Sequence, residues 1–194
     1  ELCRQPELAF EKDFLRWMLS DGAGAVRLNN QPNSSGVSLR IDWLDILSFA
    51  HELPACMYGG ADYVEGKFKG WSRFTAQEQA ERSVFAIKQD VKLLNENIVK
   101  YTVVRTLQKI MQKREIKAQE IDYFLPHYSS EFFRDRLAEG LNELGLDIPT
   151  ERWFTNLTYK GNTGSASIFI ILCQRCHSGR LKNRQKILCY VPEG

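Results

Sequence analysis

Between residues 92 and 114 the apolar positions fall at steps of three and four: Leu94, Ile98, Tyr101, Val104, Leu107 and Met111. Lysine, arginine, asparagine and glutamine fill the opposite face, so the spacing predicts one long amphipathic helix. Phe133, Leu137, Leu141 and Leu144 repeat the pattern over residues 130–144, ahead of a turn at Gly145. Shorter helices are expected over residues 11–20 and 75–82. Val37, Leu39, Ile41 and Trp43 alternate with Ser38, Arg40 and Asp42. That alternation predicts a half-buried strand antiparallel to one over residues 25–28. Residues 122–126 are a short apolar strand ending at Pro126-His127, and residues 83–90 and 185–191 read as two more. Trp153 to Tyr159 is aromatic and β-branched, as strands are. Gly161 and Gly164 then turn the chain into Ile168-Phe169-Ile170-Ile171-Leu172, a helix apolar almost all round and expected to be buried. Thr163 or Ser165 is placed to cap this helix and Gly179 to close it.

The order of elements defines an α/β chain with a mixed sheet. Residues 51–74, rich in glycine, tyrosine and charge, read as an irregular rim or lid near a substrate entrance. The small residues of Asp21-Gly22-Ala23-Gly24-Ala25 allow another backbone to approach closely, and Asp21 reads as a turn acid.

Charge and composition narrow the classes. The 26 basic and 24 acidic residues leave a net charge of +2, which favours no nucleic-acid partner by itself. Lys109, Lys113, Arg114 and Lys117 lack an accompanying aromatic stacking set and read as a solvated helix end. No apolar run is long enough to span a bilayer, so no membrane partner is expected. The first residues are polar and charged, unlike a signal peptide, and Glu1 is expected to continue an upstream segment. Five cysteines without framework spacing favour a reducing cytoplasm. Cys173-Gln174-Arg175-Cys176 has CxxC spacing, but it lacks a second pair for zinc and lies within a helix rather than opening one. No metal or cofactor is expected, and His51 and His177 are assigned no role.

Two polar residues stand out. His127 follows a strand, where chemistry gathers in open α/β sheets, and Asn162 sits on the glycine turn before the apolar helix. Taken alone, such a histidine is usually structural and such an asparagine usually part of a turn. Their setting is more specific. Leu125-Pro126-His127, then Gly161-Asn162-Thr163 with Ser165-Ala166-Ser167, preceded in order by Asp21-Gly22-Ala23-Gly24-Ala25, resembles the β-ketoacyl-acyl-carrier-protein synthase III family of thiolase-like condensing enzymes. The resemblance runs from about Phe14 to Val191.

This resemblance implies the C-terminal half of a layered αβαβα thiolase-like fold, with residues 1–194 as that half. It implies decarboxylative Claisen condensation of an acyl thioester, carried on coenzyme A or acyl carrier protein, with malonyl-acyl-carrier-protein. A homodimer and a cytoplasmic setting come with it. His127 and Asn162 would be the catalytic pair, two donors stabilising an enolate oxygen. The family's nucleophilic cysteine lies upstream of the Asp-Gly-Ala-Gly-Ala segment, where this sequence offers only Cys3. The nucleophile is therefore expected outside the chain, and the chain alone is expected to be inactive. The alternative is a non-catalytic thiolase-like subunit that docks a carrier protein or a partner synthase. Two departures point to a specialised branch: Ser130 stands where the family often has asparagine, and Leu94-Asn95-Glu96-Asn97 lacks the glycine–asparagine pair of the pantetheine channel.

Overall fold

The computed structural model describes Asp13, Leu15 and residues 17–192. They fall into two compact units, one built on residues 49–97 with Asp13, Leu15 and Trp17, the other on residues 18–48 and 98–192. Cys3 and the start of the helix expected at 11–20 lie outside the described residues. Asp13, Leu15, Trp17 and Met18 are helical, and Leu15 is buried.

In the first unit, β1 (Met57–Tyr58) pairs antiparallel with β4 (Lys88–Gln89), and β2 (Ala61–Val64) with β3 (Lys67–Gly70). Glu65 and Gly66 both take positive φ at the tip of the β2–β3 hairpin. Two such residues give the turn whose twist matches the flanking strands. Residues 51–74 are therefore not irregular, because Glu-Gly between two short strands suffices for a hairpin. Tyr58, Tyr63 and Phe68 pack ring against ring at 5.0–5.6 Å. The expected helix over 75–82 is α1 (Ala76–Glu81). Thr75 and Glu78 close its first turn reciprocally, which satisfies two otherwise orphaned donors.

The long helix runs from Val91 to Met111 in three parts: α2 (Val91–Ile98), a π-helical stretch (Val99–Arg105) and α3 (Thr106–Met111). The wider π turns shift the buried face. Val103, Leu107 and Ile110 are buried, while Tyr101, Val104 and Met111 are only half-buried. Period 3.6 predicts the helix but not this change of phase.

The second unit's core gathers Val103, Leu107 and Ile110 with Phe124, Leu137, Leu141, Leu146 and Ile148. β5 (Tyr123–Pro126) runs parallel to β6 (Ile187–Tyr190), with Tyr123 opposite Ile187 and Pro126 opposite Tyr190. Parallel neighbours need a crossover, here carrying α4 (Phe132–Glu143), α5 (Leu157–Lys160) and α6 (Ser167–His177). Parallel and antiparallel pairing both occur, but in separate two-stranded pairs.

Three expectations fail. Residues 25–28 and 37–47 form no strand, and Val26, Leu28, Val37, Leu39 and Ile41 are exposed. Their alternation offers an apolar face, but a strand also needs a hydrogen-bonded partner, and no described strand pairs with them. The Trp153–Tyr159 strand shrinks to one bridge from Trp153 to Phe124, because Leu157–Lys160 closes a helical turn instead. α6 is not buried all round: only Ser167, Ile171 and Arg175 are fully buried on it.

Candidate active site

His127 leaves the carboxyl end of β5. Tyr123-Phe124-Leu125 supplies apolar residues to both sides of this strand, and Phe124 and Leu125 are sealed from solvent. Phe124 meets Trp153 edge-on at 4.9 Å, and Trp153 donates its indole N–H to the Ile148 carbonyl at 2.8 Å. The parallel ladder carries past Pro126, so the His127 amide donates to the Tyr190 carbonyl at 2.8 Å. Tyr190 is anchored in turn by a 2.6 Å bond between its hydroxyl and that of Thr102. The backbone at His127 is thus fixed by a regular element.

His127 is 6 % exposed, and burial lowers the pKa of its imidazole, which keeps the ring neutral near pH 7. No hydrogen bond engages the ring among the described residues. The neighbouring Tyr128 hydroxyl is pushed up to about 12 by burial and by the carboxylate of Glu131, so it stays protonated.

Asn162 is also 6 % exposed, on the turn between α5 and α6. Gly161 ends α5 with φ 75° and ψ −176°, a region essentially reserved for glycine. The Gly164 amide donates to Asn162 Oδ1 at 3.1 Å. An amide N–H can face only the oxygen of a carboxamide, so this bond fixes which way the group points. It leaves the Nδ2 hydrogens as the free donors. The sealed side-chain nitrogens without partners among the described residues are Arg114 Nε and Arg175 Nε, so those of His127 and Asn162 are not closed off.

Thr163 does not cap the next helix with its side chain; its hydroxyl pairs with Ser167 Oγ at 2.8 Å, and its amide donates to the same oxygen at 3.2 Å. Ser165 is exposed.

Two residues that sequence reasoning passed over help to hold this turn. Asn156 is 3 % exposed and donates to Gln174 Oε1 at 3.1 Å, while Gln174 donates to the Tyr159 hydroxyl at 2.8 Å. An asparagine just before a helical turn was the available signal. Arg175 lays its guanidinium 3.5 Å over the Tyr123 ring, tying α6 across the start of β5. Among the described residues, no group of histidine, cysteine and carboxylate side chains is arranged to hold a metal ion. No helix among them is long and apolar enough to cross a membrane.

The second unit thus carries a neutral, buried imidazole after a parallel strand and an oriented carboxamide before a helix. Residues 111–191 match the family model described as 3-oxoacyl-[acyl-carrier-protein (ACP)] synthase III C terminal. The chain is similar to the C-terminal half of the β-ketoacyl-[acyl-carrier-protein] synthase III proteins. It is 34 % identical to the Clostridium perfringens protein (strain ATCC 13124) over 107 residues, covering 55 % of this chain and 28 % of that one. Against the Prochlorococcus marinus protein (strain NATL2A) identity is 26 % over 189 residues, covering 89 % of this chain and 46 % of the relative. The chain thus spans less than half the length of these relatives. The crystal structure of the 3-oxoacyl-[acyl-carrier-protein] synthase III from Aquifex aeolicus VF5 overlaps 54 % of this chain and 32 % of its own, at 28 % identity and a TM-score of 0.44.

Proposed function

We propose that this chain supplies the donor half of a condensing site, in which His127 and Asn162 stabilise the enolate oxygen formed from a malonyl thioester. The observation that carries this reading is the orientation of Asn162. With Oδ1 held by the Gly164 amide, the side chain can only offer N–H, and His127 adds a second donor without a competing positive charge. Loss of carbon dioxide leaves an electron pair that spreads onto the thioester oxygen. The enolate carbon then attacks the acyl group held as a cysteine thioester, a C–C bond forms, and the C–S bond to that cysteine breaks with the sulfur leaving as thiolate. Malonyl-acyl-carrier-protein and an acyl thioester of coenzyme A or carrier protein are the substrates of this reading, and the assembly is a homodimer in the cytoplasm.

The acyl-carrying cysteine is read as lying outside this chain. Burial pushes the Cys56 and Cys176 thiols up, away from thiolate. Cys173 lies in the body of α6 and Cys189 within β6, neither at a helix start where a thiolate is favoured. The chain by itself should therefore give no condensation product above blank.

In an intact condensing enzyme carrying this chain, His127→Ala and Asn162→Ala should each slow condensation by about 10²–10³-fold, the usual loss for one such donor. Acylation of the nucleophilic cysteine, followed by mass spectrometry, should be spared. A variant that acylates as slowly as it condenses would refute the assignment.

A further inference from the structure

We propose that residues 19–24 are a positioning frame for Asn162, with Gly22 and Gly24 as positioning residues of the condensing site; this rests on the reading of Asn162 as a donor. The turn that carries Asn162 belongs to no strand, so its place must come from elsewhere. The Ser20 amide donates to the Asn162 carbonyl at 2.8 Å, and Leu19 bridges Asn162 in parallel. Beyond that bond the segment lies along the turn and the following helix. A Cβ on Gly161 would stand 2.1 Å from Ser20 Oγ. A Cβ on Gly22 would stand 2.7 Å from both Cβ and Cγ2 of Thr163, and one on Gly24 2.4 Å from Phe169 Cβ. Residues 20, 22 and 24 therefore share one face, as alternate residues of an extended chain do, and that face meets 161–163 and then 169.

The contacted atoms cannot move aside cheaply. Thr163 is β-branched, and its hydroxyl and amide are both bonded to Ser167 Oγ. At Phe169 the contact is with the root of the side chain, so relief requires the backbone to move. An added methyl at Gly22 must displace the turn, and one at Gly24 the start of the helix that follows it, by roughly 1 Å to reach ordinary van der Waals separation. A displacement of that size at a reacting centre costs on the order of a hundredfold in rate.

The test uses Gly22→Ala and Gly24→Ala in the intact enzyme, with Ala23→Val as the control on the opposite face. Gly22→Ala and Gly24→Ala should slow condensation about a hundredfold while cysteine acylation continues, whereas Ala23→Val should change neither. In the same proteins, nuclear magnetic resonance should show a shifted Asn162 side-chain amide and faster hydrogen exchange at the Ser20 amide for the glycine variants only. Gly24→Ala carries the greater folding risk. Gly22→Ala with and without Thr163→Ser covers that case, since removing Cγ2 should restore part of the lost rate. Unchanged Asn162 and Ser20 resonances in Gly22→Ala, or equal losses in acylation and condensation, would overturn the frame. If Asn162→Ala condenses at the wild-type rate, the donor reading fails instead, and the resonance measurements still judge the frame.

Discussion

The two arms of the candidate site are held in opposite ways. His127 ends a strand that pairs residue by residue with β6 and stands on Phe124 at the centre of the second unit's core. Asn162 sits on a turn without a strand, bounded by a four-residue helix and fastened by a segment more than a hundred residues earlier in the chain. One residue inherits its position from a regular element and a core. The other depends on a few close contacts and one glycine conformation. The contrast teaches that equal burial does not mean equal robustness: both residues are 6 % exposed, yet the first continues a paired strand whose Phe124 belongs to the core cluster and the second ends no strand.

The largest effect should come from the first arm. Phe124→Ala removes a ring that packs against Trp153 and Tyr190 and should cost about 3–5 kcal/mol, read from urea unfolding of the chain. Hydrogen exchange should rise along β5 and β6 together. A loss below about 1 kcal/mol would mean that the strand does not rest on this core.

Gly161→Ala should act differently. It forces a side chain into a backbone region that costs about 1–3 kcal/mol and presses it against Ser20. Exchange protection should fall at Ser20 while the β5–β6 amides keep theirs. Equal loss in both places would show that the arms are not separately held.

Smaller effects sharpen the comparison. Thr102→Val deletes the hydroxyl bonded to Tyr190, and Thr163→Val the one bonded to Ser167; each should cost about 1 kcal/mol. The first should lower the unfolding midpoint of the chain. The second should register chiefly as faster exchange around residues 162–167.

The pH dependence has a definite sign. Burial lowers the folded-state pKa of His127 below its ordinary value of 6.5. At mildly acid pH the unfolded chain binds a proton that the folded chain refuses. His127's contribution is therefore complete above pH 6.5 and is lost as pH falls from there through the folded pKa. His127→Asn should flatten that part of the stability profile, measured as urea midpoints between pH 7 and pH 5. A slope unchanged by the substitution would mean that another group titrates there.

Local pattern made much of this legible. The expected strand over 122–126 is observed as Tyr123–Pro126, and the expected helix over 130–144 as Phe132–Glu143. Gly145 and Gly179 adopt the left-handed conformations their positions suggested. The short helix expected over 75–82 is observed as Ala76–Glu81. Each of these rests on neighbours close in sequence. The failures rest on partners that sequence order does not supply. Residues 37–47 alternate correctly, yet no described strand pairs with them. Where this segment is anchored, charge does the work: Asp45 accepts from Arg114 at 2.6 Å and Lys113 at 3.1 Å, and the Arg114 guanidinium stands 4.6 Å from the Trp43 ring centre.

The sequence by itself determined the chemistry available, a histidine after an apolar strand and an asparagine between glycines, because residue type and local periodicity are written along the chain. It also placed small residues at 22–24, which permit close approach without naming what approaches. Only the tertiary structure decided that the neighbour is the Asn162 turn and that Val103 and Ile110 join the core with Phe124 and Leu141. Those outcomes depend on contacts between residues far apart in the chain, and such contacts are fixed by packing rather than by any local preference.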